Sequence, residues 1–531
     1  MRSQTKCWAW ATVGTVMIAT GCDALWLDVT GDCERMRTCE HFASTGPGGG
    51  TTSPGCEADP RQDASTATEE CAVFASANAK PGGDGTKANP YASLGEAVAN
   101  ANGKRVLACA SGAFAESVTI EAGVEVIGGF DCGAGWTWSE GARSAIDGPA
   151  DEIALVLSES ASGAKVRSFA VRAASATEPG GSSIGVAVAD VEAELAQVDV
   201  TAGDGMDGTK GETPMDAPQA GASAPAMSAS NACELIAAVR GGEAGVTTCE
   251  DGETRGGRGG RGGSPGMDDG NGQRGEDGVP LPDPNPNNRG LGGIGQTDAA
   301  GECEAGTNGK SGEPGVVGAS GTDTTLTLDG IAGGVGGSGT SGKKGQGGGG
   351  GGGAKAGLFC AVGDDTVEGP GASGGGGGAG GCGGKGGSGG KAGGSSIGIL
   401  SLGTKLVLRD VTVTVGTAGN GGDGARGKAG AAGGTGAAGG ESSGEGDSRL
   451  GCDGGRGGQG GTGGPGAGGR GGHAVGIAYA AAPSEAPAVQ FTPGTLGAGG
   501  AAAPGGPPES AGAPGSAGSC WDFSTGESCG E

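Results

Sequence analysis

Between residues 72 and 200 the chain places short apolar runs at roughly 8- to 15-residue intervals, with Gly, Asn, Asp and Ser clustered between them. The runs are Val106-Leu107-Ala108-Cys109, Val118-Thr119-Ile120, Val124-Glu125-Val126-Ile127, Ala154-Leu155-Val156-Leu157, Val166 to Val171 and Ile184 to Val188. Their length and β-branched content predict short strands. One segment, Ser93-Leu94-Gly95-Glu96-Ala97-Val98, has helical spacing and precedes most of them. This order predicts a solenoid of short strands closed at its start by a small amphipathic helix. A β-sandwich is the alternative, and it calls for longer alternating strands and more aromatic residues.

An internal repeat carries the pattern beyond residue 200. Gly180-Gly181-Ser182-Ser183-Ile184-Gly185-Val186 returns as Gly393-Gly394-Ser395-Ser396-Ile397-Gly398-Ile399, and again as Gly471-Gly472-His473-Ala474-Val475-Gly476-Ile477. Aligned without gaps, Val198, Val200, Thr201 and Gly203 fall on Val411, Val413, Thr414 and Gly416, then on Val489, Phe491, Thr492 and Gly494. Strand pairs in such register predict levels of one continuous stack, with the intervening blocks as insertions.

Those blocks have a period of three. Glycine opens consecutive triplets from Gly306 to Gly321, Gly330 to Gly351, Gly371 to Gly389, Gly424 to Gly439 and Gly454 to Gly469, with a shorter Gly-Gly-Arg run at Gly256 to Gly262. Three residues per turn is the period of the left-handed polyproline II helix, in which six triplets span about 55 Å. Glycine at every third position leaves one ridge bare, so that backbones can approach and pair their amides and carbonyls. Breaks at Thr324 to Asp329 and Ser442 to Asp453 suit reversals, giving antiparallel helices stacked side by side. Two other readings compete. Collagen shares the period, but it needs three chains and more proline than Pro314 and Pro465 supply. Disorder is favoured by the backbone entropy of glycine.

Composition decides between classes. With 132 Gly and 25 Pro in 531 residues and only 3% aromatics, most of the chain is not an ordinary globular enzyme. A net charge of −27 opposes nucleic-acid binding, which needs Lys and Arg for phosphates. At the start, Arg2 and Lys6 precede an uncharged apolar run from Trp8 to Ala19, closing on Ala19-Thr20-Gly21-Cys22. The run is shorter than the roughly 20 residues of a spanning helix and suits a signal peptide. Small residues before Cys22 resemble a bacterial lipobox, which implies a diacylated Cys22; the alternative is cleavage by an ordinary signal peptidase. The chain has 16 cysteines. Apart from Cys7 and Cys22, Cys33, Cys39, Cys56, Cys71, Cys109, Cys132, Cys233, Cys249, Cys303, Cys360, Cys382, Cys452, Cys520 and Cys529 form an even set. In an exported chain that reads as disulfides. Without a Cys-x-x-Cys pair, and with only His41 and His473, no zinc site or other cofactor is expected.

Phe74-Ala75-Ser76 followed by Gly82-Gly83-Asp84-Gly85-Thr86-Lys87-Ala88-Asn89-Pro90-Tyr91-Ala92-Ser93-Leu94 resembles the N-terminal cap of right-handed parallel β-helix domains of the pectin-lyase-like kind. Glu116-Ser117-Val118-Thr119-Ile120 and Gly128-Gly129-Phe130-Asp131 are similar to the first coils of that family. The resemblance covers about residues 72 to 200 and implies a fold more than an activity. The triplet blocks resemble the polymorphic Gly-rich regions of mycobacterial PE-PGRS surface proteins, without their helical N-terminus, and Gly-triplet antifreeze proteins.

The expected class is therefore all-β. It combines a right-handed parallel β-helix with Gly-X-X insertions that form bundles of polyglycine or polyproline II-type helices, and a flexible tether. The segments are a signal peptide (1–21), a Cys/Ser/Gly/Pro tether (22–71), a β-helix (72–204), a triplet insertion (205–392), a coil (393–416), a second insertion (417–470), a coil (471–494) and an Ala/Gly/Pro-rich tail (495–531).

Polysaccharide cleavage on such a fold wants clustered carboxylates with Ca²⁺ and a basic residue. Asp199, Asp204 and Asp207, with Arg409 and Asp410 at the matching place, are the candidates, and solvated turn residues are the plainer reading. His473 stands where the other copies have Ser182 and Ser395 and reads as a turn residue. Gly82 to Gly85 lacks the Lys-Ser/Thr ending of a phosphate loop. Arg255, Arg258 and Arg261 resemble RNA-binding Arg-Gly-Gly boxes. Asp268-Asp269 and Asp364-Asp365 are weak Ca²⁺ candidates or surface charge. The expectation is a non-catalytic envelope lipoprotein held to the membrane by its lipid, with a structural, adhesive or glycan- or matrix-binding role and a glycan or protein ligand. A polysaccharide lyase or hydrolase is the first alternative, and ice binding by the bundle the second.

Overall fold

The computed structural model describes residues 55–234, 239–485 and 487–529. The leader, Cys22, Cys33, Cys39 and His41 lie outside the described residues.

The fold is all-β, and most of its strands are parallel. One wall stacks Ala72–Ala75, Arg105–Cys109, Glu125–Asp131, Ala164–Ala173, Ala193–Ala202, Leu406–Thr414 and Gln490–Thr492 in that order. The other stacks Val118–Ile120, Leu155–Leu157, Ser183–Val188, Ser396–Ser401, Ala474–Tyr479 and Ala517–Asp522. From residue 155 onward the chain alternates between the walls, so each level adds one strand to each. The internal repeat sets the pairing. Ile184, Ile397 and Val475 lie in register, as do Val198 with Val411 and Val413 with Phe491.

Between the walls runs a continuous core that includes Phe114, Ile120, Leu155, Phe169, Val186, Leu195, Ile399, Ile477 and Tyr479. Each fully buried side chain of this size contributes about 1.5–3 kcal/mol. The helix Leu94–Ala99 closes the N-terminal end with Leu94 and Ala97 buried. Ser93 caps it, accepting from the Glu96 amide, and the Glu116 carboxylate accepts from both the Ser93 hydroxyl and the Leu94 amide at 2.6 Å. Ser168, Gln197 and Asp410 share a position between paired residues of three neighbouring strands, all with φ between 52° and 59°. These three levels therefore bend at the same left-handed corner.

The first-wall strands that end at Ala202, Thr414 and Thr492 continue into glycine triplets, and triplets lead back into the second wall. The triplets carry a ladder of backbone hydrogen bonds repeating every three residues. Gly336, Gly339, Gly342, Gly345, Gly348 and Gly351 donate to Gly390, Gly387, Gly384, Gly381, Gly378 and Gly375, all at 2.8–2.9 Å. Not all runs are antiparallel, in contrast to the expectation from the sequence. Gly306, Gly309, Gly312 and Gly315 donate to Asp453, Arg456, Gln459 and Thr462, so 306–315 and 453–462 run parallel. Gly330 to Gly333, which continues the triplet phase in sequence, is a strand paired with Thr324–Thr327. Leu326, Leu328 and Ile331 of this hairpin cover Ile184, Ala187, Ile397 and Leu400 on the outer face of the second wall, and that apolar contact overrides the glycine period.

Glycine density follows position in the bundle. In 306–315 one residue per triplet is glycine, and the residues between are exposed. In 454–463 two are, and Arg456, Gln459 and Thr462 face solvent. Gly347 to Gly353 are seven consecutive glycines, all buried. A Cβ on Gly347, Gly350 or Gly353 would lie 1.9–2.0 Å from the carbonyl oxygen of Arg255, Arg258 or Arg261. One on Gly348 or Gly351 would meet Gly455 or Cys452 at 2.2 or 1.9 Å, and one on Gly349 or Gly352 would meet Leu291 or Ile294 at 1.9 or 2.1 Å. Three neighbouring runs thus approach three rows of one run.

Among the described residues six disulfides form. Cys56–Cys71, Cys109–Cys132 and Cys520–Cys529 are local. Cys233–Cys360, Cys249–Cys382 and Cys303–Cys452 join segments 127, 133 and 149 residues apart. Chain-entropy loss on closing loops of that length stabilises the native state by about 4–5 kcal/mol each, against the large entropy lost in ordering glycine.

Gly350→Ala is expected to destabilise the protein by about 3 kcal/mol, because backbone on the neighbouring run must move. Gly141→Ala, where nothing lies within 4 Å, is the control; equal urea midpoints for the two variants would contradict this packing. Replacing Cys249 and Cys382 by Ser should speed amide exchange at Gly342 and Gly384, whose amides are bonded to neighbouring runs, far more than between Ala164 and Ala202, as read by hydrogen-exchange mass spectrometry.

Candidate functional site

The candidate carboxylates are placed by the stack, and each is engaged with its own chain. Asp199 is a strand residue, not a turn. Its Oδ1 accepts from the Thr412 hydroxyl at 2.6 Å, and its Oδ2 lies 3.5 Å from Arg143 Nε. Asp204 Oδ1 accepts from the Thr417 amide at 2.7 Å, and Asp207 Oδ1 from the Asn420 amide at 2.6 Å. Asn420 and Asp423 repeat the device one level on, accepting from the Ala498 and Ala501 amides. Arg409 Nε is 3.8 Å from Glu194, which also pairs with Arg167, and Asp410 sits at the left-handed corner.

The remaining sequence candidates are scattered. Asp84 accepts from the Thr86 amide and hydroxyl inside a turn. Arg258 pairs with Glu243 at 3.3 Å, while Arg255 and Arg261 flank it on the same run. Asp268 and Asp269 form a short 3₁₀ turn, and Asp364 and Asp365 lie at the tip of the hairpin Gly357–Gly369. Among the described residues, no three His, Cys, Asp or Glu side chains converge as a metal site, and no helix is long and apolar enough to cross a membrane.

His473 is buried, in contrast to its reading as a turn residue. Ser182 Oγ accepts from the Ser395 amide at 2.8 Å, Ser395 Oγ from the His473 amide at 3.0 Å, and His473 Nδ1 from the Ser516 amide at 2.9 Å. The imidazole therefore continues a ladder that serine begins. Because an amide can only donate, Nδ1 is the acceptor, and the proton sits on Nε2, which donates to Thr324 Oγ1 at 3.0 Å. Burial, with the Arg470 charge second, pushes its pKa down to about 3, so the ring is neutral at physiological pH.

Behind that ladder the surface forms a hollow of about 420 Å³ lined by Thr322, Asp323, Thr324, Arg470, Trp521 and Phe523. The last parallel strand of the second wall, Ala517–Asp522, presents Trp521, and the hairpin beginning at Thr324 presents the opposite rim. His473 supports Phe523 edge-to-face, with ring centroids 4.9 Å apart at 87°. Arg470 Nη1 donates to the Thr322 carbonyl. Burial pulls the Arg470 guanidinium below its ordinary value, and the Asp323 carboxylate pulls the other way. Two half-buried aromatic rings thus share one concavity with a cation, a carboxylate and two hydroxyls. Sequence reasoning missed it, because Asp323, Arg470 and Trp521 are separated by the triplet blocks. The signal that could have found it is His473 itself, a large ring where the other two copies of the repeat have serine.

Neutral His473 makes stability depend on pH in a fixed direction. The unfolded chain takes up its proton near pH 6.5 and the folded protein only near pH 3, so unfolded chain binds more protons between those values and stability falls as pH falls through that window. The slope should approach about 1.4 kcal/mol per pH unit. In urea titrations from pH 6.5 to 4, His473→Gln should remove that slope; an unchanged slope would refute it.

The chain matches no protein-family model, no curated protein and no solved structure.

Proposed function

We propose that this chain is a non-catalytic cell-envelope lipoprotein, anchored through Cys22, that binds glycan at the hollow formed by Trp521, Phe523, Arg470 and Asp323. In this reading the two walls are the coils of a right-handed parallel β-helix, and the triplet runs are polyglycine or polyproline II-type helices packed around one another. The observation that carries the binding role is the hollow itself. Aromatic rings offer an apolar face to the C–H side of a sugar, while Asp323, Arg470 and the threonine hydroxyls supply donors and acceptors for its hydroxyl groups. The bonding of Asp199, Asp204 and Asp207 to their own chain supports the non-catalytic part, since a lyase needs such carboxylates free for metal or proton transfer. A body held by backbone ladders and three long-range disulfides suits a rigid presentation outside the cell, where disulfides persist.

On a glycan array the disulfide-intact protein should bind a restricted set of sugars. Trp521→Ala should weaken that binding at least tenfold while lowering the unfolding free energy by no more than about 1 kcal/mol, the typical cost of a point substitution. Binding that survives Trp521→Ala, or an array with no bound sugar, would remove the glycan reading.

A further inference from the structure

The run 256–263 lies in a groove between 345–354 and 371–380. Gly257, Gly260 and Gly263 donate to the carbonyls of Gly348, Gly351 and Ala354, each at 2.8 Å. The same three residues accept from Gly377, Gly374 and Gly371 at 2.8–3.0 Å. One row of carbonyls and one row of amides thus hold a single extended chain. At Thr254 this chain leaves for the hairpin Val246–Arg255, and the Thr254 hydroxyl fills one further step. It donates to the Gly345 carbonyl at 2.9 Å and accepts from the Gly380 amide at 3.0 Å.

The groove continues where its occupant stops. Its two walls remain bonded for three more steps, with Gly342, Gly339 and Gly336 donating to Gly384, Gly387 and Gly390 at 2.9 Å. Along this stretch the carbonyls of Gly342, Gly339 and Gly336 and the amides of Gly383, Gly386 and Gly389 extend the two rows. Among the described residues no protein group bonds to these six. Gly383, Gly386 and Gly389 are partly exposed. A hollow of about 270 Å³, lined in part by Ser341, Gly342, Gly383 and Lys385, opens at the hairpin end of this stretch.

We propose that this stretch binds an extended segment of glycine-containing triplets from a partner protein, which pairs its backbone with the open rows as 256–263 does. The proposal rests on the reading of the triplet runs as packed polyproline II-type helices. Its specificity follows from the occupied part of the groove. A Cβ on Gly256, Gly259 or Gly262 would lie 1.8–1.9 Å from the carbonyl of Gly377, Gly374 or Gly371. An incoming chain in the same position therefore needs glycine there in every triplet; the next residue is glycine too in the occupied part, where a Cβ on Gly257, Gly260 or Gly263 would lie 1.8–2.0 Å from the carbonyl of Glu276, Gln273 or Gly270. Three steps take about nine residues, or about 28 Å of extended chain. Affinity comes from main-chain pairing, as when a strand adds to a sheet edge.

The test uses the disulfide-intact protein and a fluorescently labelled, end-capped (Gly-Gly-Ser)₄ peptide, with (Ala-Ala-Ser)₄ as control. The glycine peptide should bind at least tenfold more tightly by fluorescence polarisation and slow amide exchange at Gly383, Gly386 and Gly389. Ser341→Trp should block the mouth and Ser338→Arg the middle of the groove, each weakening binding at least tenfold while leaving the melting curve in place; both residues are exposed. Equal binding of the two peptides, or binding that survives both substitutions, would overturn the proposal. So would self-association lost in Ser341→Trp, which would make the occupant a second copy. Protected amides at 345–354 with no peptide binding would overturn this proposal alone, whereas unprotected amides there would overturn the reading of the runs as well.

Discussion

A backbone stripped of side chains has one strong way to hold another like it, which is to pair every amide with a carbonyl. The triplet blocks depend on that pairing. Each glycine that lacks a Cβ lets a neighbouring carbonyl come to within hydrogen-bonding distance, and each bond formed satisfies a group that burial would otherwise leave costly. The apolar core between the two walls does the complementary work. It holds successive levels in register, so that runs leaving residues 202, 414 and 492 start side by side. Asp204, Asp207, Asn420 and Asp423 then fasten one level to the next by accepting main-chain amides.

Much of this was legible in the residues. The short apolar runs predicted strands close to where they occur, and the helix starts at Leu94, one residue after its Ser93 cap. The ungapped repeat foretold pairings such as Val198 with Val411, because stacked strands of equal length place like residues on like. Threefold spacing showed that backbones approach. What it could not show was which runs meet, since 306–315 pairs with 453–462 across more than a hundred intervening residues. The density of glycine within each triplet carried part of that information, separating the fully surrounded run at 347–353 from peripheral ones.

The site was less visible for the same reason. Asp199, Asp204 and Asp207 drew attention as carboxylates close in sequence, yet neighbours along a stack are partners for the next level before they are partners for a ligand. His473 looked like a turn residue because its sequence neighbours are small. Only the stack shows that its ring replaces a serine hydroxyl and, by reaching further, also braces Phe523. The Trp521 hollow draws on three segments far apart in sequence, and no local pattern announces it.

The ladder between the outgoing and returning arms also constrains how this chain can change in length. Gly454, Gly457 and Gly460 bond back to Ala437, Gly434 and Ala431, so a residue added to one arm alone rotates every later position by a third of a turn and drives side chains into neighbouring backbone. Growth without collision comes in whole triplets added to both arms together. The hairpins can thus lengthen or shorten like a telescoping arm with fixed stops, while the stacked walls that carry them stay unchanged.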